Sequence, residues 1–204
     1  MQQPRSNHGN PLKKALVSLT LATFPLGVFA QAKVTFGNDA DHLVVFTGSL
    51  FDLPVEYRPH AGLPVPQLGT SSDQFQYFTA ELYAGTSPTG LTLQSTLTPV
   101  GLVGLPDGLI GNHAVTLSGI PVGTAFFQIQ IWETAYGNFA NALGNGRPVG
   151  TTPVFEAAAG DFDPIPLFTS PGWLGPIELV PVPEPSIFAL ASLGAAWLLL
   201  RRRR

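Results

Sequence analysis

The sequence predicts an all-β fold, an antiparallel β-sandwich, and two observations carry that expectation. Apolar and polar residues alternate over short runs. Phe78, Ala80, Leu82 and Ala84 interleave with Thr79, Glu81 and Tyr83, and Phe127, Ile129 and Ile131 with Gln128, Gln130 and Trp132. A period of two marks a strand with one buried face. Glycine and proline number 22 and 20 among 204 residues, which favours many turns over long helices. Charged side chains make up 11% of the chain, against about 25% in an average soluble protein, a composition unusual for a globular enzyme.

In chain order, strands are expected at Lys33–Phe36, His42–Thr47, Phe78–Ala84, Thr92–Thr98, Asn112–Leu117, Phe127–Trp132 and Ile177–Val180. Turn signals separate them: Gly37-Asn38, Pro64-Val65-Pro66, Gly85 to Gly90, Pro106-Asp107-Gly108 and Gly144-Asn145-Gly146. A short helix is expected around Gly137 to Leu143 with Asn138 as its cap. The proline-rich stretch from Leu53 to Ser72 is expected to form a loop lying across the sheet.

Both ends read as targeting segments, which makes the β-sandwich at 33–180 an ectodomain. Residues 1–32 have the parts of a signal peptide: a polar, basic stretch to Lys14, an apolar run from Ala15 to Leu26, and small residues at Ala30 and Ala32. Cleavage is expected after Ala32, with Ala30 as the second choice. At the other end, 181–204 begins with proline-rich sequence and continues as an uncharged apolar run from Ile187 to Leu200. A helix at about 186–200 is expected there as a single transmembrane helix. The fourteen apolar residues would span about 21 Å, less than the roughly 30 Å of a hydrocarbon core. Snorkelling by Arg201, Arg202, Arg203 and Arg204 extends the effective length. The arginines also keep the C-terminus cytoplasmic and place the domain on the far side.

Pro183-Glu184-Pro185, the short apolar helix and the arginine cluster together resemble the sorting domain of PEP-CTERM proteins. Members of that family occur in Gram-negative bacteria that make extracellular polysaccharide. The resemblance implies processing by exosortase, an integral-membrane cysteine protease, at the inner membrane, followed by release or display at the cell surface. It covers the residues from Pro183 to Arg204 and implies nothing about the domain's own activity. The Leu-Pro-x-Thr-Gly motif of sortase substrates and the paired glycines of rhomboid-type tails do not occur here. The Leu82–Gly85 segment and the Gln130-Ile131-Trp132 strand are similar to small β-domains common in such proteins, which implies a sandwich.

Charge narrows the partners. From Lys33 to Pro183 three basic residues face twelve acidic ones, a net charge of −9. Such a surface repels phosphate backbones, so no nucleic-acid partner is expected; the expected partners are exosortase, the membrane and extracellular polysaccharide. With no cysteine, disulfides and thiolate zinc sites are excluded. His42, His60 and His113 form no close pair of metal-ligand spacing, and no serine sits in a Gly-x-Ser-x-Gly elbow. No enzymatic activity and no cofactor are expected. Asp39 with Asp41 and Asp161 with Asp163 are candidate calcium pairs, because residues two apart in an extended segment point to one side. Among the aromatic residues, Trp132 shares a face with Gln128 and Gln130 and is the candidate for stacking on a sugar. A surface or structural role in the matrix is therefore expected first, and a carbohydrate-binding module second.

Overall fold

Strand periodicity is realised most fully at the centre of the chain. The computed structural model describes residues 30–48, 52–66, 78–98 and 106–181. Most of the expected leader, the sorting motif, the tail helix and its arginines lie outside them. The fold of the described residues is all-β. Its strands are β1 (Gln31–Phe36), β2 (Val44–Phe46), β3 (Phe78–Gly85), β4 (Thr92–Leu97), β5 (His113–Pro121), β6 (Gly123–Glu133), β7 (Val149–Thr151), β8 (Phe155–Ala159), β9 (Ile165–Pro166) and β10 (Ile177–Leu179). One α-helix, α1 (Phe139–Gly144), stands between β6 and β7. Asn138 caps it as expected, its side chain accepting from the Asn141 amide at 2.8 Å.

The main sheet runs β4-β3-β6-β7, and β8 also pairs with β6. β6 is long enough to serve both. Its C-terminal half pairs with β7 and its N-terminal half with β8. Between those two strands Thr152 meets Ile129 twice: its amide donates to the Ile129 carbonyl at 3.0 Å, and its hydroxyl accepts from the Ile129 amide at 2.9 Å. A side chain thus replaces a ladder carbonyl just before Pro153, which has no N–H to offer.

Two smaller sheets, β5-β1-β9 and β10-β2, complete the β-structure. Lys33 bridges to Gly160 beside β8, and Val149 of β7 bridges to Val180 beside β10, so both small sheets are tied to the main one. The expectation of purely antiparallel pairing is corrected here. β1 with β9 and β2 with β10 are parallel, because long connections return the chain to strands laid down far earlier. Inward residues of the strands, among them Val34, Phe36, Phe46, Leu82, Phe127, Ile129, Leu117 and Leu179, form one apolar core.

Several expected boundaries also shift: β2 is shorter than expected, and β5 and β6 extend to Pro121 and back to Gly123. β1 starts at Gln31, not Lys33, because its alternation runs back through Ala32, which is fully buried beside Val34 and Phe36. The stretch expected as a loop from Leu53 carries a 3-10 turn at Val55–His60. It lies on the core through Leu53 and Tyr57, whose ring stacks on Phe46 at 5.0 Å. β7, β8 and β9 have no counterpart among the expected strands. Their few residues, and the small alanines of β8, give little hydrophobic contrast.

Candidate functional site

Among the described residues a polar cluster surrounds Arg147, in the connection from α1 to β7. Its Nη2 donates to Glu56 Oε1 at 2.6 Å and its Nε to Glu133 Oε2 at 2.7 Å. The guanidinium also lies 5.2 Å from the centre of the Tyr57 ring and 5.5 Å from that of Tyr136, within cation–π range. Glu133 ends β6 and is 0% exposed, while Glu56 sits on the 3-10 turn at the surface. Burial works against the charge on Arg147, but its bonds to Glu133 and Glu56 outweigh that and hold its proton more tightly than usual. Burial, followed by the Glu133 charge, raises the Tyr57 phenol above its ordinary value. One arginine thus engages two carboxylates from segments far apart in sequence. The arrangement clamps the proline-rich turn to the end of the main sheet.

A second cluster occupies the turn from β1 to β2. His42 Nδ1 meets Asp39 Oδ1 at 2.6 Å and His42 Nε2 meets the Trp173 carbonyl at 3.1 Å. The bond to His42 holds the Asp39 carboxyl below the ordinary range against a small opposing cost of burial. Nearby Asn38, buried, donates to the carbonyls of His42 at 2.7 Å and Gly108 at 2.9 Å and accepts from the Ile110 amide. Its side chain stitches the segment before β5 to the start of β2.

The candidate calcium pairs do not have the geometry that suggested them. Asp39 and Asp41 lie in a turn rather than an extended segment, and Asp39 Oδ1 accepts from the Asp41 amide at 3.1 Å as well as from His42. Asp161 and Asp163 occupy a bend in which a Cβ on Gly160 would collide with the Asp163 carbonyl, so the chain doubles back sharply there. Among the described residues no three His, Asp or Glu side chains converge to hold a metal ion. His42, His60 and His113 stand on separate elements.

Trp132, the expected sugar platform, is corrected by its burial: it is 2% exposed. It does lie on the outer face with Gln128 and Gln130. Ala142 of α1, Val149, Tyr136 and Phe139 cover it, so its ring is not open to a ligand. The strand alternation identifies the face, and α1, folding back over it, supplies a cover that no local pattern signals. Another ring is open: Phe162, between Asp161 and Asp163, is 84% exposed. Sequence reading missed it because an isolated aromatic in a loop carries no periodic signal. Glu133 and Arg147 were missed for a similar reason, since their pairing joins β6 to a later loop.

Two open grooves flank the 170–176 loop. One, of about 500 Å³, is lined by Glu156, the hydroxyls of Thr124, Thr169 and Ser170, and small apolar residues. The other, of about 540 Å³, is mainly apolar, with Phe139, Leu143, Val149, Leu174 and Val180 among its walls. No protein-family model, no curated protein and no solved structure matches this chain.

Proposed function

We propose that the chain is an exported cell-envelope protein, sorted through its tail by exosortase, whose β-sandwich has a non-enzymatic structural or surface role linked to extracellular polysaccharide. The observation that carries this reading is the order of Pro183-Glu184-Pro185, the apolar run Ile187–Leu200 and Arg201 to Arg204. The limits of the β-domain support it. The core draws on residues from Ala32 to Leu179, so its first strand follows the small residue Ala30 directly and its last stops just short of the tail. Cleavage after Ala30 leaves β1 whole, whereas cleavage after Ala32 would remove Gln31, the partner of Pro121, and a buried core alanine. The protein would thus cross the inner membrane, pause there with its C-terminus cytoplasmic, and end at the cell surface or beyond. Mass spectrometry of the mature protein tests this. An N-terminus at Gln31 and loss of the arginine tail in cells with exosortase are expected, and a retained tail in such cells would leave only a plain anchor.

A carbohydrate-binding module is the second reading, and exposed Phe162 favours it, since a ring flanked by two carboxylates offers both a stacking face and acceptors for hydroxyls. A glycan screen that finds a ligand whose binding is lost in Phe162→Ala would promote this reading over the first.

A further inference from the structure

We propose that the loop tip at Leu174, with Leu143 and Val180 beside it, is a lipid-contact patch that lies on the membrane surface where the tail enters it. The proposal rests on the anchoring reading above and adds to it the face of the domain that meets lipid.

Leu174 is 83% exposed, and the loop that carries it is braced. The Trp173 ring is buried, 5.6 Å from Phe155 and 5.0 Å from His42. The Trp173 carbonyl accepts from His42 Nε2, its amide donates to the Ser170 carbonyl at 3.2 Å, and the Ser170 hydroxyl donates to the Glu156 carbonyl at 2.7 Å. With its neighbour fixed at so many points, Leu174 is held outward. Leu143, 40% exposed, and Val180, 48% exposed, line the same apolar groove, in which Glu178 is the one charged wall residue.

What covers this patch follows from where the chain goes next. Val180 lines the groove, and seven residues later Ile187 begins the apolar run. Seven residue steps reach about 25 Å at full extension, so a tail lodged in a bilayer keeps the groove within that distance of the headgroups. Pro181, Pro183 and Pro185 disfavour the reversal needed to fold the apolar run back into the groove. A net charge of −9 between Lys33 and Pro183 selects a zwitterionic surface over an anionic one.

The chain has no cysteine, so Leu174→Cys provides a single labelling position. Thr96→Cys on β4, exposed at the opposite edge of the main sheet, is the control. Each full-length variant is labelled and reconstituted into phosphatidylcholine vesicles, with flotation reporting anchoring and nitroxide-bearing phosphatidylcholine reporting contact. The chain is expected to float, with the label at 174 quenched several-fold more than the label at 96. Flotation with equal quenching overturns the lipid contact and leaves anchoring intact. Failure to float overturns anchoring and the contact with it. In lipid-free buffer, shielding of the 174 label from an aqueous quencher that disappears when 187–204 are removed would make the tail the occupant and overturn the lipid assignment.

Discussion

β3 and β6 pair over eight consecutive residues, from Phe78 with Glu133 to Gly85 with Phe126, whereas β7 and β10 at the margin are three residues each and meet through a bridge between Val149 and Val180. In the centre every second side chain enters the core, and burial together with an unbroken ladder holds the strands. At the margin short strands bury too little to hold themselves. Polar side chains supply the connections: Arg147 to two glutamates, Asn38 to three backbone groups, Thr152 to Ile129, His42 to Trp173. Continuous apolar faces and isolated polar clamps therefore do the same task in two parts of one molecule.

The largest test of that contrast is Arg147→Ala, which strands the fully buried Glu133 without its cation. A loss of about 3–5 kcal/mol is expected by denaturant unfolding, as for other broken buried pairs. The double variant Glu133→Leu/Arg147→Met should regain most of it. Were the single variant neutral, the clamp would be ornamental and the margin would be held by burial after all. Next comes Asn38→Ala. It leaves the part-buried His42 carbonyl, the buried Gly108 carbonyl and the Ile110 amide without their side-chain partner, at a cost of roughly 2–3 kcal/mol. Hydrogen exchange should localise the opening to 38–46 and 106–112 and leave β3 and β6 protected.

A smaller loss, about 1–2 kcal/mol, is expected for Gly150→Ala. A Cβ there would meet the Glu178 carbonyl and Leu179 Cδ2 at 2.9 Å, pushing β7 away from β10. The midpoint of thermal unfolding measures it. The smallest effect is acid sensitivity. His42 lowers the Asp39 carboxyl from 3.8; burial opposes ionisation of Glu56, yet its own backbone amide and Arg147 bring it below 4.5. Carboxyls lowered by folding stabilise the native state fully above their unfolded values and lose that contribution as pH falls through the folded ones. Urea midpoints should thus hold above pH 4.5 and decline below it, and Asp39→Asn should flatten the decline. Both groups are substantially exposed, so salt should shrink the effect.

The same contrast explains what was legible in the sequence. β3, β6 and the Asn138 cap could be read because their signals are local: a period of two, or one capping residue before a helix. The parallel return of β10 to β2 could not, since nothing near Ile177 refers to Val44. Arg147 and Glu133 became partners only once α1 had reversed the chain between them. That reversal also buried Trp132, whose polar-faced strand had suggested exposure. Ala32 is instructive in another way, because a small residue suits both a processing site and a crowded strand, and the strand is where it lies.

The parallel pairing of β2 with β10 has a consequence in time. The hydrogen bond from His42 to Trp173 joins residues 131 apart, so the body cannot close until nearly all of it has emerged. Contacts of such long range make for slow folding. On the proposed reading of a chain threaded outward from its N-terminus, β2 would wait for its strand partner until β10 arrives, whereas β1 and β3 find theirs earlier. If the proposed sorting tail follows, it would emerge at nearly the same moment as the domain closes, and the proposed sorting would act on a body that has only just folded.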